Sequence, residues 1–278
     1  MSVQNARVPG GDIAPRRWQG GPLDCAGCGY VRFRELPAEH GCGPGHACMQ
    51  DAYARRIERF FHRHPELANE QLAHPYFEVR AIAASHADVF CLPALLGDPD
   101  EMVRLQLALR LPQAQLARLI HDPHREVRIR VAQRLSSAAL VGMRGDSDYG
   151  VREWVAQRLP LARLPQMIGD PDRGVRMRLA ERLEMPALLR IADDSEAEVR
   201  RIVAERLSAT LLSRLAFDPD WRVRWEVARR AAGEIVASLV DDADEEVRAL
   251  ARQRRPSGEV ANLMTTGQTQ RSAGVKHG

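Results

Sequence analysis

Val175–Glu198 reads VRMRLAERLEMPALLRIADDSEAE, and the chain returns to this pattern every 24 residues. The pair Val-Arg begins at Val79, Val103, Val127, Val151, Val175, Val199, Val223 and Val247, with no insertion between any two. Take the Val as position 1. Position 6 is then Ala from Ala84 through Ala228, and position 8 is Arg from Arg110 through Arg254. Position 14 is apolar from Leu92 through Val260, and position 20 is Asp from Asp98 through Asp242. Such regularity marks a chain of stacked units rather than one irregular domain.

The columns predict one helix per unit. Apolar positions 1, 5, 6 and 9 fall on one helical face. Asp at position 20 is expected to cap the helix, its carboxylate accepting from the free N–H groups of the first turn. Pro99, Pro123, Pro171 and Pro219 would then occupy the first helical position. Asp98–Glu101 and Asp242–Glu245 have the spacing of a capping box. The helix should cover roughly eleven residues, about 16 Å. The remaining ten or so residues carry apolar positions 14 and 17, which suits a short helix or a 3₁₀ turn. No stretch alternates with period two, so strands are not expected.

A single unit buries about six apolar side chains at roughly 2 kcal/mol each. Ordering its residues costs more, at about 1–2 kcal/mol per residue. Units must therefore stack and share faces, as in a solenoid. Phe60, Phe61, Leu67 and Leu72 read as a modified first helix capping one end. At the other end Arg252, Arg255 and Thr266 replace the expected Ala, Leu and Asp. The reading divides the chain into a flexible leader 1–22, a Cys-rich segment 23–54, a repeat region 55–256 and a flexible tail 257–278.

The Cys-rich segment holds Cys25, Cys28, Cys42 and Cys48, spaced C-x2-C-x13-C-x5-C. The N-terminus has no apolar signal region, and no run approaches the ~20 apolar residues of a membrane span. A cytoplasmic protein is expected, and in a reducing compartment clustered thiols favour metal over disulfides. The second pair is too wide for a zinc knuckle, and the spacing does not match the common ferredoxin runs. Spacing thus gives a metal site without naming the metal. A Cys₃His zinc site using His46 competes, although His46 and His40 also read as solvated loop residues. Gly27, Gly29, Gly41, Gly43 and Gly45 crowd the segment, where they let backbone approach a metal. Cys91, at repeat position 13, reads as a buried core thiol.

Units such as Val175–Glu198 resemble those of the leucine-rich repeat variant (LRV) family, over about 70% of the chain, and the Cys segment extends the resemblance. The resemblance implies an all-α, right-handed superhelical solenoid of alternating α and 3₁₀ helices. It also implies a small N-terminal domain with a 4Fe–4S cluster on Cys25, Cys28, Cys42 and Cys48, zinc being the alternative cofactor. It brings no biochemical activity with it.

The 278 residues are 45% hydrophobic, 28% charged and only 5% aromatic, as expected of a folded chain with an aliphatic core. Net charge is +3, and of 40 basic residues only Lys276 is lysine. So small a net charge disfavours a dedicated nucleic-acid binder. Arginine at position 2 lies near the apolar face and is expected to pair with the position-20 Asp in a ladder. Position 8 is the better candidate for a surface stripe. No P-loop, GxSxG, HExxH or dinucleotide fingerprint is present, and no enzyme is expected. The reading is a cluster-bearing scaffold for a protein partner, with electron transfer and nucleic-acid binding as alternatives and no membrane role.

Overall fold

The computed structural model of the chain describes residues 13–37 and 39–254. The expected tail 257–278, part of the expected leader, and the cap substitutions Arg255 and Thr266 lie outside the described residues. Among the described residues, nine ten-residue helices carry the repeat: α1 Ala54–Arg63, α2 Phe77–His86, α3 Glu101–Arg110, α4 Arg125–Arg134 and α5 Tyr149–Arg158. They continue with α6 Arg173–Arg182, α7 Ala197–Arg206, α8 Trp221–Arg230 and α9 Glu245–Arg254. Short helical segments separate them, mostly 3₁₀, such as Leu92–Leu95, Ala139–Met143 and Ala187–Ile191. Among the described residues there is no strand beyond isolated bridges at Arg17–Asp51 and Gly43–Ala47. Nor is any described helix long and apolar enough to cross a membrane.

The chain divides into two compact units, Met1–Val155 and Ala156–Gly278. In the first, α1 packs on α2, α2 on α3 and α3 on α4; in the second, α6 packs on α7, α7 on α8 and α8 on α9. The core is the one the columns require. Val103, Leu107, Ala108 and Leu111 are fully buried at positions 1, 5, 6 and 9, and Leu116 and Leu119 follow at positions 14 and 17. Phe60 and Phe61 of α1 are buried at the start of the stack.

The position-2 arginines form the expected ladder. Arg80 forks onto Asp98 at 2.7 and 2.8 Å, and Arg104–Asp122, Arg128–Asp146, Arg176–Asp194, Arg200–Asp218 and Arg224–Asp242 repeat it. The same guanidinium donates to the backbone carbonyl six residues earlier, as Arg104 does to Asp98 at 2.7 Å. Each arginine therefore ties the start of its own helix to the turn that precedes the next one.

This pairing displaces the expected cap. Asp98 accepts from the Arg80 fork and from the Asp100 N–H at 3.0 Å, which uses it up as an Asx turn. The helix begins two residues later than expected. Asp100 is the N-cap, accepting from Met102 N–H at 2.9 Å, and Asp172 does the same for Gly174 N–H at 2.8 Å. Pro99 and its equivalents precede the cap rather than follow it, and the Asp98–Glu101 and Asp242–Glu245 boxes do not form.

The position-8 arginines, the better candidate for a surface stripe, are also engaged within the stack. Arg110 donates to the carbonyls of Ala84 and Ala87, Arg134 to Ala108, and Arg206 to Ala180 and Leu183. These are carbonyls at the C-terminal end of the preceding helix, left open by the end of its ladder and favourable to a cation.

Candidate metal centre

The Cys segment is held against α1. Phe60 on α1 meets the rings of Tyr30 and Phe33 edge-on, at 5.7 and 6.2 Å between centroids. The Cys48 N–H donates to the Arg56 carbonyl at 3.0 Å. The Arg56 side chain, itself buried, pairs with buried Asp51 at 3.0 Å and donates to the carbonyl of Ile13 at 2.6 Å. Arg63, at the end of α1, donates to the Gly41 carbonyl, next to Cys42. Two arginines seven residues apart on one helix thus brace both ends of the Cys42–Cys48 loop. The sequence reading missed both, because no short-range pattern links Arg56 or Arg63 to the cysteines.

Local backbone shapes the loops. A Cβ on Gly41 would lie 3.0 Å from the Leu36 carbonyl oxygen and 3.3 Å from that of Pro37, so glycine permits this close approach. Gly45 sits at φ +75°, in the region glycine favours. Asp24 closes the first turn by accepting from Ala26 N–H at 2.9 Å and Gly27 N–H at 3.2 Å.

Cys25, Cys28, Cys42 and Cys48 line one small cavity, and all four are half-buried free thiols. Among the described residues no three His, Cys, Asp or Glu side chains converge as around a single ion. Burial pushes the Cys48 thiol up to about 12. Burial also raises Cys42, and the neighbouring Cys28 and Cys25 add to it. A metal group drawing these thiolates must therefore displace protons as it binds. The donor set fits an iron–sulfur cluster: four sulfurs around a cavity, with the carboxylate of Asp24 occupied by its own turn.

His46 faces elsewhere. Its ring nitrogens lie 3.2 and 3.4 Å from the Arg63 guanidinium, and His46 is not among the residues lining the cavity. Burial first, then Arg63 and Arg59, lowers its pKa. His40 is exposed. Cys91 is exposed, not the core thiol expected from its apolar surroundings: it caps the 3₁₀ segment whose Leu92 and Leu95 face inward.

Both parts of the chain match known proteins. Residues 15–70 match the family described as LRV protein FeS4 cluster, and residues 102–124, 149–172 and 197–220 match the leucine rich repeat variant. An uncharacterized 27.7 kDa protein in the nifB 3' region of Rhodobacter capsulatus is 52% identical over 100 residues, 36% of this chain. The match spans 40% of that relative's length. A solved leucine-rich repeat variant, described as having a novel repetitive structural motif, is 43% identical with a TM-score of 0.78. That alignment covers 84% of this chain and 98% of the solved one. The chain belongs to the leucine-rich repeat variant family, as a member with an N-terminal iron–sulfur segment.

Proposed function

We propose that Cys25, Cys28, Cys42 and Cys48 hold a 4Fe–4S cluster and that the repeat units serve as a non-catalytic scaffold for a protein partner. The observation that carries the cluster reading is the set of four thiols lining one cavity, without a convergent single-ion site among the described residues. When bound, such a cluster supplies one-electron redox chemistry. The chain's own residues shape the site: Arg56 and Arg63 fix the Cys42–Cys48 loop, and Tyr30 and Val31 form part of the cavity wall. Zinc on three cysteines and His46 is disfavoured by the turn of His46 toward Arg63.

Replacement of each of the four cysteines by serine tests the ligand set. Each variant is expected to lose bound iron and visible absorbance, while His46→Ala keeps both. Iron loss in His46→Ala with retention in Cys48→Ser contradicts the assignment.

The scaffold reading is supported by an open groove of about 670 Å³ on the second unit, lined by Trp221 and Trp225 together with Arg201 and Glu246. Trp221 is 44% exposed. Exposed tryptophan flanked by arginine is the composition of interface hot spots. Both arginine columns are engaged within the stack, which removes the motive for a nucleic-acid stripe. Pulldowns with the native protein and Trp221→Ala, in both redox states, test the scaffold. A partner lost in the variant supports it, and no partner in either state contradicts it.

A further inference from the structure

The arginines around the thiol cavity differ from those of the repeats. Residues 13–63 hold eight arginines against five carboxylates. Arg56 is paired with Asp51, and Arg63 is engaged with Gly41 and His46. Arg16, Arg17, Arg32, Arg34 and Arg55 are exposed and Arg59 is half-buried, and among the described residues none has a carboxylate within ion-pair distance.

Two of these, Arg32 and Arg34, lie on the 3₁₀ turn Val31–Glu35, which forms a wall of the cavity through Val31 and Arg34. The same turn leaves Val31 43% and the following Leu36 41% exposed. On the other side, the main chain of Arg17 forms an isolated antiparallel bridge with that of Asp51, and Trp18 N–H donates to the carbonyl of Gln50, itself a lining residue. Exposed apolar side chains and unpaired guanidinium groups thus share the rim of the proposed cluster site. Unpaired charge on a folded surface costs little stability and steers an oppositely charged protein. A small patch suits brief redox encounters, which bury little area.

We propose that this rim docks a small acidic electron-carrier protein, which exchanges one electron with the cluster. The carrier's reduced centre loses one electron and the cluster gains it; no bond forms or breaks. The proposal rests on the cluster reading above and adds the partner's chemistry and its landing site. Duplex DNA is the competing occupant, and the lack of any regular arginine spacing along this rim disfavours it.

The probe is an oxidised plant-type 2Fe–2S ferredoxin, an acidic one-electron carrier, titrated into the full anaerobically purified chain at low and high salt. Iron and sulfide are assayed on the same samples. Binding is expected at low salt and should be lost at about 0.5 M salt. The double variant R17E/R32E, at two exposed rim positions that do not line the cavity, should bind about ten-fold or more weakly with iron and sulfide unchanged, and R118E, on an exposed repeat position, should bind like the native chain. Reduced ferredoxin should reduce the cluster more slowly in R17E/R32E. Equal binding by R17E/R32E with a full cluster overturns the docking proposal and leaves the cluster reading standing. Salt-dependent binding of duplex DNA to the rim, without ferredoxin binding, overturns it in favour of nucleic acid. A chain without iron and sulfide overturns both readings.

Discussion

Arg104 and Asp122, 18 residues apart, meet in a two-pronged ion pair at 2.7 and 3.1 Å, with side chains only 9% and 2% exposed. The pair spans one repeat and joins its helix to the next turn. Removing one partner leaves a buried charge alone, at about 3–5 kcal/mol. Arg104→Ala and Asp122→Ala should each lower stability by that amount in urea titrations, and Arg104→Met/Asp122→Leu should cost less than either. A loss in the double variant equal to the sum of the two single losses would show that the fork has no coupling.

Two aspartates separated by one residue should behave differently. Asp98 accepts the Arg80 fork, whereas Asp100 caps α3. Asp100→Ala is expected to cost about 1 kcal/mol, the usual worth of an N-cap. Asp98→Ala should cost several-fold more, for the reason given at Asp122. The same denaturation experiment ranks them, and a larger effect at Asp100 would contradict the assignment.

That contrast also marks how far the sequence could be read. The period, the core columns and the pairing of position 2 with position 20 were legible because each follows from i, i+3, i+4 spacing and from charge. The helix start was not. The unbroken Asp column at position 20 drew the capping role, but its carboxylate is claimed by an arginine 18 residues earlier. The true cap column was visible as Asp100, Asp148, Asp172, Asp220 and Asp244, interrupted by His124 and Glu196. The position-8 arginines and the braces from Arg56 and Arg63 depend on the stacking of neighbouring elements, which no local pattern encodes. Cys91 was misplaced because only Leu92 and Leu95 of its apolar run turn inward; the adjacent Phe90 is 87% exposed.

Acid should loosen the ladder. The Arg224 guanidinium holds the Asp242 carboxyl below its ordinary value. At Asp98 burial pushes upward, and the Arg80 fork with the Asp100 N–H outweighs it. A carboxyl depressed in the folded state stabilises at neutral pH, above its unfolded value of about 3.9. That stabilisation declines as pH falls past this value and vanishes below the folded one. Thermal midpoints should therefore drop on acidification through this window, and less steeply in Asp242→Asn. A midpoint rising with acid would contradict the sign.

Arg63 should govern how firmly the cluster is held. Its contacts with Gly41 and His46 fix the loop that carries Cys42 and Cys48. Outer contacts of this kind are worth about ten-fold or more in metal retention. Arg63→Met should lose iron to a chelator about ten-fold faster while keeping native helicity. An unchanged rate would leave Arg63 a merely structural residue.

Exposed Cys91 should stay outside the site. Cys91→Ser is expected to keep its iron in full. In the loaded protein a thiol reagent should modify Cys91 alone, and the variant should not react.

The central claim is the identity of the group in the thiol cavity. Anaerobic purification followed by assay of iron, acid-labile sulfide and zinc tests it most directly. The account predicts a brown protein with about four irons and four sulfides per chain and no zinc. A colourless protein with one tightly held zinc would contradict it.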